Sequence, residues 1–260
     1  SLSWRLLLLV SLRLPLTASL DFREYSRKRT MPKKILLVSA SAGTLGGRST
    51  GLWISELAEP YYLFKGAGFE VQIASTAGGA VPIDAGSMGG DFFTAEAKQF
   101  MTDAEAFGAL CHSAKVGDLS AESFDCVYLT GGHGCCVDFV GVQAAGLISM
   151  VEGAYATGKI VAADCHGPMG LLDCKKPDKT PLVAGHKVTS FTNAEEAAAG
   201  AADWVKSSSL LMEDKFKELG ATFVGGPDWG SHVVVDGKLV TAQNPGSAVE
   251  CAKKVIELLK

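Results

Sequence analysis

The chain has 260 residues, 47% hydrophobic and 20% charged, with a formal net charge of −4. That length allows one or two domains with a sizeable core, and the mild acidity argues against a nucleic-acid partner. Seven cysteines, an odd count without C-x-x-C spacing, exclude a disulfide framework and point to reduced thiols in a cytosol-like compartment.

Residues 1–30 are a separate compositional block, with six Lys/Arg against two Asp/Glu, whereas the remainder holds 18 against 26. An apolar stretch, Leu6–Val10, lies between Arg5 and Arg13, with no acid before Asp21. It resembles a secretory or organelle-targeting leader, which would place the protein in an organelle or the secretory pathway. The alternative is upstream sequence joined to a protein starting at Met31, which leaves the chain cytoplasmic. The stretch is too short, and too broken by Arg13, for stable membrane insertion. The fold is therefore sought in residues 31–260, read as a single domain.

Lys33–Ser39 is a short continuous apolar run, the pattern of a strand covered on both faces. "SAGTLGGR" (41–48) fits neither a dinucleotide fingerprint nor a Walker loop and reads as a flexible loop near the cleft. A helix comes next, near 50–66, with Ser49 and Thr50 as possible caps. Pro60 cannot donate to the carbonyl of Glu56, so the helix should bend or restart there. Glu56 sits among apolar residues. It is a candidate proton carrier with a raised pKa, or else an ordinary surface glutamate like Glu59.

Strands are predicted at Phe69–Ser75, Asp125–Thr130 and Lys159–Ala163, and helices near 94–110 and 143–157. Alternation of this kind implies a mainly parallel sheet with helices on both faces, an α/β sandwich. Residues 209–219 read as a helix with Met212, Phe216 and Leu219 on one face. "VVVDGKLVT" (233–241) reads as a hairpin about Asp236-Gly237. The last helix shows a capping box, Ser247 with Glu250, and a stripe of Val249, Ala252, Ile256 and Leu259.

Ligands in such sheets sit beyond the carboxyl ends of strands. "TGGHG" (130–134) stands at one such end. Its glycines let backbone N–H groups face a ligand, and His133 either touches substrate or is satisfied by backbone. Cys135 and Cys136 beside His133 invite a metal reading, but adjacent cysteines ill suit one tetrahedral ion, and no metal is expected. "DCHGP" (164–168) stands at another strand end. A cysteine on a strand-to-helix turn is held outward, and the helix start beyond it should favour thiolate. Cys165 is then a nucleophile, or else a small apolar residue finishing a strand.

"ISELAEPYY", "TGGHG", "AADCHGP", "VTSFTNAEE" and "LVTAQNPGSA", in this order, resemble the PfpI superfamily, and within it the heat-shock-related branch called glyoxalase III. The resemblance runs from about Lys33 to the C-terminus. It implies a flavodoxin-like three-layer sandwich of the class I glutamine amidotransferase type, often dimeric, with no cofactor. It places the nucleophile on Cys165, its neighbour on His166, the thiol-bonding glutamate on Glu56, and the acid that orients the histidine on Glu196 in preference to Glu195. The oxyanion falls to backbone groups of Gly132 and His166. Asp164 departs from the small or apolar residue common before the nucleophile, and Ala242 from a frequent glycine.

The implied activity is conversion of methylglyoxal, or another small 2-oxoaldehyde, to lactate without glutathione through a Cys165 hemithioacetal. The alternatives on the same residues are a deglycase and a cysteine peptidase. A holdase chaperone or thiol redox sensor would need no catalysis.

Overall fold

The computed structural model describes residues 31–260, the side chain of Ser208 apart, so the leader expected at 1–30 lies outside the described residues. Strand β1 (Lys34–Ser39) is buried at every position after Lys34. Its alternation divides the core. Leu36 and Val38 join Val127, Leu129, Val161 and Ala163 on one face of the sheet. Ile35 and Leu37 join Tyr128, Ala162 and Val240 on the other. Two packed faces explain why these strands read as continuous apolar runs.

The chain continues through β2 (Thr44–Leu45), β3 (Arg48–Ser49), α1 (Ser55–Gly66), β4 (Glu70–Ser75), α2 (Ala95–Thr102), α3 (Ala104–Cys111), β5 (Ala114–Lys115), β6 (Cys126–Leu129), α4 (Cys135–Asp138), α5 (Ala145–Ala156) and β7 (Ile160–Asp164). It closes with β8 (Lys187–Val188), α6 (Asn193–Ala198), α7 (Ala202–Ser208), α8 (Met212–Glu218), β9 (Thr222–Phe223), β10 (Val233–Asp236), β11 (Leu239–Ala242) and α9 (Ala248–Leu259). The main sheet has seven strands in the order β10-β11-β7-β6-β1-β4-β5. Its pairings are parallel except the β10–β11 hairpin. Helices α1, α2, α3 and α9 supply one outer layer and α5, α7 and α8 the other. This is the α/β sandwich expected. No helix among the described residues is long and apolar enough to cross a membrane.

The structure corrects several local expectations. "SAGTLGGR" is a tight hairpin rather than a flexible loop. Thr44 and Leu45 pair with Ser49 and Arg48, and Gly46 and Gly47 take the positive φ that such a two-residue turn demands. Helix α1 starts at Ser55, after Ile54, without a side-chain cap, and runs unbroken past Pro60. Thr50 instead bonds Asp84 Oδ2 at 2.8 Å. The helix expected near 94–110 is two, because Asp103 Oδ1 accepts from the N–H groups of Glu105 and Ala106 and starts α3.

Helix α9 lacks the Ser247–Glu250 capping box. Ser247 Oγ is drawn to Asn244 Oδ1 and the His232 N–H instead. The buried line of α9 is Ala248, Cys251, Ala252 and Val255, with Val249, Ile256 and Leu259 half-buried at its edges.

Candidate active site

The ends of β6 and β7 lie side by side, Leu129 opposite Ala163, so the two loops singled out in the sequence meet. Cys165 leaves β7 with φ of 50°, a left-handed conformation that costs a non-glycine residue about 1–2 kcal/mol. Its own backbone pins it there: the N–H donates to Ala242 O and the carbonyl accepts from Phe191 N–H, each at 2.9 Å. The turn aims the thiol into the cleft, although Cys165 itself is only 4% exposed. Gly131 must be glycine, since a Cβ there would collide with Glu56 Oε2 and lie 2.7 Å from the Cβ of Cys165.

Neighbours on a turn need not align, yet Cys165 Sγ lies 3.2 Å from His166 Nδ1. His166 Nε2 is 2.8 Å from Glu196 Oε1, and His133 Nε2 is 3.1 Å from Glu196 Oε2. The His133 ring lies 4.0 Å from that of His166 and 5.2 Å from that of Trp204. Burial works to raise Glu196, but the two histidines outweigh it and hold the carboxyl at about 2. Burial, and then His133, keep His166 below the usual imidazole range. At neutral pH Glu196 is thus an anion that can only accept. His166 is neutral with its proton on Nε2, and the Nδ1 lone pair faces the thiol.

Glu195, the neighbour not chosen, does a structural job. With Thr192 it forms the capping box of α6, and its Oε1 accepts from Trp229 N–H, Gln243 Nε2 and Asn244 Nδ2. That T-x-x-E box was readable in the sequence and overlooked.

On the other side of Cys165 stands Glu56, fully buried with no hydrogen-bond partner on either oxygen. The Cys165 thiol is the polar group it addresses. Burial, and then the charge of Asp164, push Glu56 well above the ordinary carboxylate range. Asp164 is buried too, bonded through Oδ2 to the Tyr128 hydroxyl at 2.7 Å and unpartnered at Oδ1. Burial pushes it up as well, against the Tyr128 bond. A buried carboxyl without partners keeps its proton.

Cys165 itself contradicts the expectation of a lowered thiol. Burial pushes it well above the ordinary range, the Glu56 charge adds to this, and only the Gly132 N–H acts the other way. The chain beyond His166 forms only a short 3₁₀ turn, Gly167–Leu171, with a proline at its start. Few free N–H groups are there to oppose burial.

A cavity of about 310 Å³ opens over these groups, lined in part by Gly132, His133, Cys165 and His166. Trp53, Phe92, Phe191, Ala199, Trp229 and Pro245 complete its lining, with Phe191 against the His166 ring at 4.9 Å. The sequence reading missed this aromatic wall, whose members come from distant loops. Cys135 and Cys136 are not part of the site. Cys135 Sγ donates to Thr130 O at 3.3 Å, and both cysteines belong to the apolar core. Among the described residues one group could bring three ligand atoms to an ion, His133, His166 and Glu196. Both of its Nε2 atoms face Glu196 oxygens in the arrangement above.

The sequence pattern of the DJ-1/PfpI family matches residues 51–258. Glyoxalase 3 of Candida albicans is 35% identical over 217 residues, covering 81% of this chain and 90% of the relative. The glutathione-independent glyoxalase HSP31 of Saccharomyces cerevisiae is 32% identical over 240 residues, covering 88% and 99%. Among solved structures, glyoxalase III of Candida albicans superposes with a TM-score of 0.79 at 31% identity, covering 86% of this chain and 96% of that one. The rapid encystment protein of Francisella tularensis gives 0.82 at 32% identity, covering 88% and 99%.

Proposed function

The chain belongs to the DJ-1/PfpI family, and from that premise we propose that it is a glutathione-independent glyoxalase. It converts methylglyoxal, or another 2-oxoaldehyde, to the 2-hydroxy acid. The observation that carries the reading is the pairing of a thiol facing an imidazole lone pair, Cys165 Sγ to His166 Nδ1 at 3.2 Å, with a protonated carboxyl, Glu56, on its other side. The chemistry needs a nucleophile and two groups that exchange protons in turn. The names of the relatives support the same activity.

His166 takes the thiol proton as Sγ attacks the aldehyde carbon C1, and returns it to the oxygen of the hemithioacetal. The N–H groups of Gly132 and His166 hold that oxygen while it is charged. His166 next removes the C1 hydrogen as a proton, and the C2 carbonyl oxygen takes the proton of Glu56. The resulting enediol collapses when His166 protonates C2 and Glu56 recovers a proton from the C1 hydroxyl. That leaves a 2-hydroxyacyl thioester on Cys165. Water attacks C1, His166 takes its proton, the C1–S bond breaks and the thiol is restored. Redox state balances within the substrate, and the protein thiol does what glutathione does elsewhere.

A protonated Glu56 carries no charge, which takes away one of the causes that, after burial, hold the Cys165 thiol up, so the neutral carboxyl assists both thiol activation and the hydrogen shift. We take residues 31–260 as the catalytic domain. The seven free cysteines support a reducing, cytoplasm-like compartment. The dimeric state implied by the resemblance belongs to the same proposal.

Product analysis with methylglyoxal and no glutathione tests this. Lactate should form with the wild type, vanish with Cys165→Ala, and persist with Cys135→Ala. Equal loss in both variants would contradict the assignment of the nucleophile.

A further inference from the structure

The cavity over Cys165 is lined by catalytic groups and by large aromatic rings. Gly132, His133, Cys165 and His166 share its lining with Trp53, Phe92, Phe191 and Trp229, and Phe191 lies against the His166 ring at 4.9 Å. At about 310 Å³ it reaches the lower end of the range for sites that enclose drug-sized ligands, about 300–1,000 Å³. A three-carbon dicarbonyl bound at the thiol fills only part of this volume and leaves space beside Phe92 and Trp229.

Two of the rings are held in place against ordinary preference. Trp229 is 44% exposed and takes φ of 61°. Its N–H donates to Glu195 Oε1 at 2.8 Å, and its ring meets Phe191 edge-on at 5.6 Å. Phe92 is 43% exposed and meets Trp53 edge-on at 5.0 Å. Backbone strain and exposed large apolar rings gathered at one cleft mark a ligand surface. The nearby acids, Glu59 and Asp91, line a neighbouring cavity that shares Phe92 and Trp229 as its wall. The aromatic lining thus offers no carboxylate to a substrate's tail.

We infer that the site is built for 2-oxoaldehydes carrying a bulky apolar substituent, aryl or long alkyl, with Phe92 and Trp229 as the specificity-determining residues. This rests on the glyoxalase reading of the same site. The chemistry is unchanged: the C1 hydrogen moves to C2, the C1–S bond is hydrolysed, and phenylglyoxal gives mandelate with no oxidant or reductant.

The test measures kcat and KM of the full chain, without glutathione, for methylglyoxal, phenylglyoxal and n-pentylglyoxal. The alkyl compound separates buried area from the electronic effect of an aryl ring. Both larger aldehydes should exceed methylglyoxal in kcat/KM by about tenfold or more, mostly through KM. Phe92→Ser and Trp229→Ser, each on a half-exposed ring, should together lower the pentyl-to-methyl ratio about tenfold, and Phe92→Leu should keep most of it. A wild-type ratio near one, or a ratio indifferent to both serine substitutions, overturns the inference. If methylglyoxal is turned over with no gain for larger aldehydes, this inference falls and the glyoxalase reading stands. If none of the three reacts, both fall.

Discussion

The two sides of Cys165 carry the same chemical group in opposite states. On one side Glu196 is an anion, held at about 2 by two imidazoles. On the other, Glu56 has no hydrogen-bond partner, and burial pushes its pKa well up, so it keeps its proton. Both glutamates are almost fully buried, so burial alone does not decide between them. The difference lies in what each oxygen faces. Two ring N–H groups stabilise the anion at Glu196, while at Glu56 burial and then a second buried carboxyl, Asp164, discourage one and outweigh the thiol, which favours it. A site that must both abstract and donate protons gains an accepting side and a donating side from one residue type.

The largest effect should come from breaking the anionic side. Glu196→Gln removes the charge that keeps the proton on His166 Nε2, so Nδ1 no longer faces the thiol as a base. We expect kcat to fall about 10²–10⁴-fold. Glu195→Gln, one residue away, should spare kcat far more and show its cost in thermal unfolding, because Glu195 bonds backbone and amides rather than His166. Equal kinetic losses would mean that the two glutamates are not divided between these jobs.

Breaking the neutral side should cost less. Glu56→Gln keeps a hydrogen-bond donor and loses the transferable proton, for an expected drop of about 10²-fold in kcat. The pH profile then sharpens the contrast. His166 must be neutral, and burial with His133 holds it below its ordinary 6.5, so the acid limb of kcat/KM should lie below pH 6.5. Glu56 must be protonated, so its loss sets an alkaline limb. Asp164→Asn removes the second-largest cause raising Glu56, and should move that alkaline limb to lower pH while leaving the acid limb in place. An unmoved alkaline limb would separate Asp164 from the proton chemistry.

The strands and strand ends of this fold were legible because short continuous apolar runs alternating with helical stretches suit strands buried on both faces, and the loops after them are where a parallel sheet exposes chemistry. Cys165 and Glu56 were candidates from the residues themselves, His166 and the preference for Glu196 over Glu195 came from the motif resemblance, and the structure brings all four side chains to one place. What stayed illegible depends on contacts between distant segments. Ser247 looked like a cap until His232 and Asn244 claimed its hydroxyl. Asp164 looked like a departure before a nucleophile, and nothing local reveals that Tyr128 and Glu56 surround it. The thiol's pKa was misread because a helix start is visible in sequence and the burial opposing it is not. The aromatic wall comes from positions 53, 92, 191 and 229, a grouping without any sequence period.

The smallest effect belongs to a third glutamate on the Glu56 helix. Glu59 lines the neighbouring cavity, and burial raises it from 4.5 to about 7, with the Thr94 hydroxyl opposing and Glu96 adding. It is not the surface glutamate the sequence suggests: it is 8% exposed on the wall of that cavity. A carboxyl raised in the folded state binds more protons there than when unfolded. Stability therefore falls as pH rises from about 4.5 to about 7, the reverse of the Glu196 case, where it is lost as pH falls toward 2. Glu59→Gln removes that penalty. Allowing for solvent screening at the cavity, the variant should be more stable than wild type by about 1–2 kcal/mol at pH 8. The gain should shrink toward zero near pH 5, as read from urea unfolding at both values. A gain of equal size at both pH values would trace the effect to packing, and would remove Glu59 from the set of glutamates whose charge is set by what surrounds them.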